Sequence, residues 1–176
     1  MSAPRTVVAL VQNRPGALNR TVGLLRARNA GLRSLAIGES EVAGVVRLTV
    51  VVDVEDAEHV VKQLNRLIEV LEVKDVTHDA IVERETALMK IDAPESRRGE
   101  VHAVVEQFGA RVIESSPDTV IVEATDTPDR VATLIRIVRP FGVREITRSG
   151  RLAMTLSADV RIEVPSSWQA QADGIA

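Results

Sequence analysis

Residues Thr6–Leu35 read TVVALVQNRPGALNRTVGLLRARNAGLRSL, and this stretch decides the fold. TVVALV (6–11) is a short β-branched and apolar run of strand type. N-R-P-G then breaks it. Ala17, Leu18, Thr21, Val22, Leu24 and Leu25 recur at helical spacing, with Arg20, Arg26 and Arg28 off that face. N-A-G (29–31) is a helix stop, because glycine takes a left-handed conformation without a Cβ clash. Leu32–Ile37 starts a second strand, GESEVAG (38–44) is a turn, and VVRLTVVV (45–52) is a third strand. Asp53, Glu55, Asp56 and Glu58 place acid at the start of a second helix, where the helix dipole favours it. Its stripe is Val60, Val61, Leu64, Leu67 and Ile68, and VLEVKDV (70–76) follows as a fourth strand. The order is β-α-β-β-α-β.

The order then repeats. TALMKI (86–91) is a strand, and Ser96 is placed to cap a helix with Val101, Val104, Val105 and Phe108 on its stripe. RVIES (111–115) and TVIVEAT (119–125) flank the turn S-P-D. Thr127 caps the next helix, with Pro128 in its first turn and Val131, Leu134, Ile135 and Val138 inward. P-F-G stops it and VREITR (143–148) closes the unit. A lag of roughly 75–80 residues is too long for a solenoid repeat. It fits two tandem ferredoxin-like βαββαβ domains, an α+β fold with antiparallel four-stranded sheets and helices on one face. Residues 1–78 form the first domain and 79–157 the second, with a polar boundary at Thr77–Glu85. The acid-base-acid run Glu83-Arg84-Glu85 reads as a solvated linker edge. AMTLSA (153–158) carries one more possible strand. Residues 158–176 lack periodicity and read as a mobile tail, with Trp168 as an anchor.

The composition narrows the function. Apolar residues make up 45% and aromatics 2%, so the core is built from Val, Leu, Ile and Ala. Strands without rings offer no platform for stacking bases. A net charge of −3 does not supply the basic face that nucleic acid requires. With no cysteine there are no disulfides, thiolate nucleophiles or cysteine metal sites. No apolar run approaches membrane-spanning length, and the N-terminus lacks a signal-peptide pattern. A cytoplasmic protein is expected, organellar if the source is a plant or fungus, with neither membrane nor nucleic acid as partner.

No catalytic set emerges. His59, His78 and His102 are not spaced for a shared metal, and no nucleophile elbow, dinucleotide loop or phosphate-binding loop is present. What remains is the turn that opens the first helix. A helix N-terminus presents unbonded amides and partial positive charge, a ready seat for a carboxylate. Gly16 permits close approach to the backbone, and Pro15 fixes the turn without removing a needed donor. Asn13 offers both donor and acceptor, which suits a small zwitterion. Plain helix capping accounts for the same local pattern.

N-x-P-G-A-L-x-R-x-x-G-L from Asn13, then R-x-x-x-L-R-S-L and RLTVVV, resembles the start of an ACT domain. With QLNRLIEVLEV, IVERETALMKI and VREITRSG in order, about Arg5 to Leu156 resembles the regulatory small subunits of acetolactate synthase (acetohydroxyacid synthase). The resemblance implies a non-catalytic chain that binds and activates a catalytic large subunit. That partner would use thiamine diphosphate, Mg and FAD. It also implies feedback inhibition by branched-chain amino acids, valine being the usual effector, in valine, leucine and isoleucine synthesis. The implied site lies across a homodimer of ACT domains: Asn13, Pro15, Gly16, Ala17 and Leu18 on one chain, Gly31 and Leu32 on the other. The family usually reads R-G-Y-N-I before the second strand, so Gly31 stands at its Asn position. Loss of that side-chain hydrogen bond to a charged group implies about 1.5–3 kcal/mol weaker binding. The alternative is a free-standing ACT-type amino-acid sensor acting on another enzyme or regulator.

Overall fold

The computed structural model describes residues 4–27, 31–53 and 57–156. The first six elements are β1 (Pro4–Gln12), α1 (Ala17–Ala27), β2 (Gly31–Glu39), β3 (Val45–Asp53), α2 (Ala57–Leu64) and β4 (Val70–Asp75). The second set is β5 (Ile81–Asp92), α3 (Glu95–Gln107), β6 (Arg111–Ser115), β7 (Thr119–Asp126), α4 (Pro128–Val138) and β8 (Val143–Arg148), followed by β9 (Leu152–Thr155).

The sheet orders are β2-β3-β1-β4 and β6-β7-β5-β8, with β9 paired to β5, and the mapped ladders are antiparallel. Both are the interleaved order that a β-α-β-β-α-β chain produces when its two crossovers pack on one face. In the first sheet Val7, Ala9 and Val11 of β1 and Leu48, Val50 and Val52 of β3 point to one side. There they join Ala17 and Leu25 of α1 and Val60 and Leu64 of α2 in one core. In the second, Ala87, Met89 and Ile91 meet Val101 and Val105 of α3 and Val131, Leu134 and Val138 of α4. Period-2 strands against period-3.6 helices generate both cores.

The chain divides into two compact units, one reaching Val82 and resuming at Ala153, the other Glu83–Leu152. Ala153 packs with Val8, Val76 and Ile81, and the Leu156 amide donates to the Ala80 carbonyl at 2.9 Å, so β9 is held by the first unit.

Other sequence expectations shift for local reasons. β5 begins at Ile81, so Glu83–Glu85 is strand rather than linker. Glu85 is 5% exposed and accepts two hydrogen bonds from Arg148, Nε at 2.8 Å and Nη2 at 2.6 Å. α2 ends at Leu64 and leaves Ile68 85% exposed, off the core stripe. Pro94 stands at the N-cap of α3, with Ser96 already inside the helix. Thr127 does cap α4, accepting from the Arg130 amide at 3.4 Å. Asn29, Glu55, Asp56 and the 158–176 tail lie outside the described residues.

Candidate functional site

The turn between β1 and α1 is fixed from three sides. The Gln12 amide donates to the Glu69 carbonyl and the Asn13 amide to Gly44, each at 2.8 Å. The Arg14 amide folds back on the Gln12 carbonyl, also at 2.8 Å. Gly16 then takes φ +81°, a conformation that a side chain opposes. The Ala17 amide bonds to the Arg14 carbonyl and the Arg20 amide to Gly16. Among the described residues the amides of Gly16, Leu18 and Asn19 have no backbone acceptor, as a helix start leaves them. Thr21 Oγ1 donates to the Ala17 carbonyl at 2.9 Å and binds the first turn together.

Ala17 is buried in the core and anchors the helix, whereas Asn13, Pro15 and Leu18 are exposed around the mouth of the turn. Arg20 was not singled out in the sequence. Its guanidinium lies over Gly16: a Cβ there would come within 2.8 Å of Arg20 Nη1. Arg20 also pairs with Glu69, whose backbone already holds Gln12. The hydrogen bond from Arg20 holds the Glu69 carboxyl below its ordinary pKa, against an opposing desolvation. The turn thus joins open amides, a helix dipole and a guanidinium, three groups that favour one negative charge. The available signal was the four-residue step from Gly16 to Arg20, which stacks them on one helix face.

Gly31 and Leu32 are elsewhere. Gln12 pairs with Val45 at the start of β3, while Gly31 pairs with Asp53 at its end. Eight residues at about 3.4 Å each separate the two ends by about 27 Å, so one chain does not join them. Gly31 lies against Asp53: a Cβ on it would stand 3.2 Å from Asp53 Cβ. Asp53 Oδ2 accepts from Arg33 Nε at 2.6 Å, and its Oδ1 is buried with no hydrogen-bond partner among the described residues. β2 is an edge strand, with Leu32 and Ile37 exposed at 39% and 44%.

The histidines form no cluster. His78 Nε2 meets Arg5 Nη1 at 2.6 Å, and His59 lies 3.5 Å from Gln63 Nε2. Among the described residues no group of three potential ligands could hold a metal, and no helix is long and apolar enough to cross a membrane.

Comparison with known proteins agrees with this architecture. Residues 8–72 match the model for the acetohydroxyacid synthase small subunit-like ACT domain. Residues 84–157 match that for the small subunit of acetolactate synthase. The acetolactate synthase small subunit of Bacillus subtilis is 41% identical over 152 residues, covering 85% of this chain and 88% of the relative. A probable acetolactate synthase small subunit of Archaeoglobus fulgidus is 40% identical, covering 85% and 94%. The crystal structure of the Thermotoga maritima small subunit superposes with a TM-score of 0.80 at 32% identity, over 87% of this chain and 97% of that one. With two matched models in chain order and relatives of this identity over most of its length, the chain belongs to the acetolactate synthase small-subunit family.

Proposed function

We propose that this chain is a non-catalytic regulatory subunit. In this reading it activates an acetolactate synthase large subunit and makes it sensitive to a branched-chain amino acid, valine first. The observation that carries the reading is the mouth of α1. Open amides of Gly16, Leu18 and Asn19 lie beside Arg20, in a chain of this family. The effector's carboxylate binds there, with Asn13, Pro15, Ala17 and Leu18 around it. The catalytic partner carries the thiamine diphosphate, Mg and FAD.

The second half of the site comes from a homodimer. Two β2 edges running antiparallel extend the sheet across a twofold axis. Glu39 pairs with Val46, and so lies at the end of β3 where Asn13 is found. Antiparallel pairing brings the partner subunit's Gly31 and the partner subunit's Leu32 to that same end. An effector seated there touches both chains and biases how the dimer grips its enzyme.

The test is to mix the purified chain with its own large subunit and follow acetolactate formation with each branched-chain amino acid. The rate is expected to rise on adding the chain and to fall on adding valine. A large subunit that neither binds nor responds would favour the free-standing sensor instead.

A further inference from the structure

Gly31 and Asp53 stand opposite each other at one end of the β2–β3 ladder. Gly31 brings no side chain, and the Asp53 carboxyl lies in the room beside it. A Cβ on Gly31 would stand 3.2 Å from Asp53 Cβ and 3.4 Å from its Oδ2. Asp53 is half-buried, with 32% of its side chain exposed. Among the described residues its carboxyl accepts from Arg33, Nε to Oδ2 at 2.6 Å, while Oδ1 is buried and accepts nothing. A carboxylate offers about four lone-pair sites, so this pairing leaves most of its capacity unused. A negative charge partly shielded from water and short of donors favours a second cation beside it.

The mouth of α1 has the opposite character. Its open amides and Arg20 favour negative charge. A seat built of those groups alone takes any small carboxylate, with or without an amino group. In the proposed homodimer the partner subunit's Gly31 comes to this mouth. The partner subunit's Asp53 comes with it, one strand behind at about 4.8 Å. The two sides of the site then carry opposite charges, as do the two ends of an amino acid. Glu39 is also a carboxylate at the mouth's end of the sheet, but it is exposed, and water competes there for its charge.

We infer, on the reading that the effector's carboxylate rests at the mouth of α1, that the partner subunit's Asp53 accepts its ammonium and so sets the specificity of the site. Rotation of the carboxyl about Cβ–Cγ is soft and twofold, so one oxygen turns to the ligand while Arg33 keeps the other. A 2-oxo acid of the same skeleton shares the carboxylate and the hydrocarbon tail but has no ammonium, and the site selects against it.

The experiment is calorimetry and NMR on the full chain, titrated with L-valine and, separately, with 2-oxoisovalerate. Asp53→Asn keeps the shape and removes the charge. It should weaken valine binding about tenfold or more and leave the 2-oxo acid within about twofold. Arg33→Gln should keep the valine affinity, since Arg33 does not touch the ligand. Thermal melting of both variants is recorded alongside. In the wild-type chain the Asp53 carboxyl carbon should shift with valine and not with the 2-oxo acid. Wild-type valine affinity in Asp53→Asn overturns the inference, as does an equal loss for both ligands, a matching loss in Arg33→Gln, or a carboxyl carbon that valine leaves in place. The amides of Gly16 and Leu18 report the mouth separately. If valine moves them while any of those results holds, the role of Asp53 alone falls. If valine leaves them unmoved, the reading of the mouth falls and the role of Asp53 with it.

Discussion

Gly16 is constrained twice, by φ +81° and by the Arg20 guanidinium where a Cβ would go. Asparagine tolerates the left-handed region better than most residues, and aspartate adds a negative charge to a similar shape. Gly16→Asp should therefore weaken valine binding by about tenfold or more relative to Gly16→Asn, since the ligand's carboxylate meets a like charge. Calorimetry on the two variants checks this, and equal affinities would remove the carboxylate from this turn. Arg20 has its own signature. The depressed pKa of Glu69 means that their pairing favours the folded chain above the ordinary carboxyl range, and that this contribution is lost as pH falls through the folded-state value. In a carboxyl NMR titration Arg20→Ala should move Glu69 up toward its ordinary midpoint. An unmoved midpoint would mean that Arg20 does not set it. At Gly31, replacement by Asn restores a side-chain amide at the cost of pushing Asp53 by a few tenths of an ångström. About tenfold tighter valine binding is expected in calorimetry; unchanged affinity would exclude Gly31 from the site.

Among the elements, β5 and β8 illustrate what the sequence conveys and what it withholds. The apolar alternation of TALMKI marks a strand, as do the β-branched residues of β3 and β7. Glu83-Arg84-Glu85 resembles a linker because its partners are far along the chain. Arg148 reaches Glu85, Ser149 bonds Thr86 through both its amide and hydroxyl, and Arg151 meets Glu83 at 3.1 Å. A polar run becomes strand, with Glu85 buried in it, when a second polar run satisfies it, and local periodicity carries no record of that match. Arg148→Met leaves the buried Glu85 carboxylate without its fork of donors. Because Arg148 is itself 43% exposed, the loss is set at about 2–3 kcal/mol, below that for a fully buried pair. Denaturant unfolding checks it, and Arg148→Lys should recover only part, since an ammonium lacks the two-pronged geometry. The turn at the start of α1 was legible because Pro and Gly punctuate the chain. Arg20 was not, because its role depends on Glu69 reaching the same turn from the end of the second crossover.

The whole molecule was legible as a repeat, since each half has its own strand and helix stripes. Each unit accordingly has its own core. Leu48→Ala and Leu134→Ala remove fully buried side chains from the first and second cores respectively, and each should destabilise its unit by about 2–5 kcal/mol. Hydrogen exchange should quicken in β1 and β3 for the former and in β5 and β7 for the latter. Loss of protection in both sheets from either change would mean that the cores do not act separately. The allegiance of β9 was not legible, because a four-residue strand carries too little pattern to show that it pairs with β5 while Ala153 packs against Val8 and Val76 of the first unit.

That allegiance has a consequence for biosynthesis. Residues 83–152 leave the ribosome with every strand of the second sheet's central path present, and can fold at once. The earlier-made portion must hold Val8, Val76 and Ile81 uncovered until Ala153 emerges, some 70 codons later. At about 5–20 residues per second that is a delay of roughly 4–15 s. During this interval the nascent chain presents an apolar strip to chaperones, or to another nascent chain emerging from the same messenger.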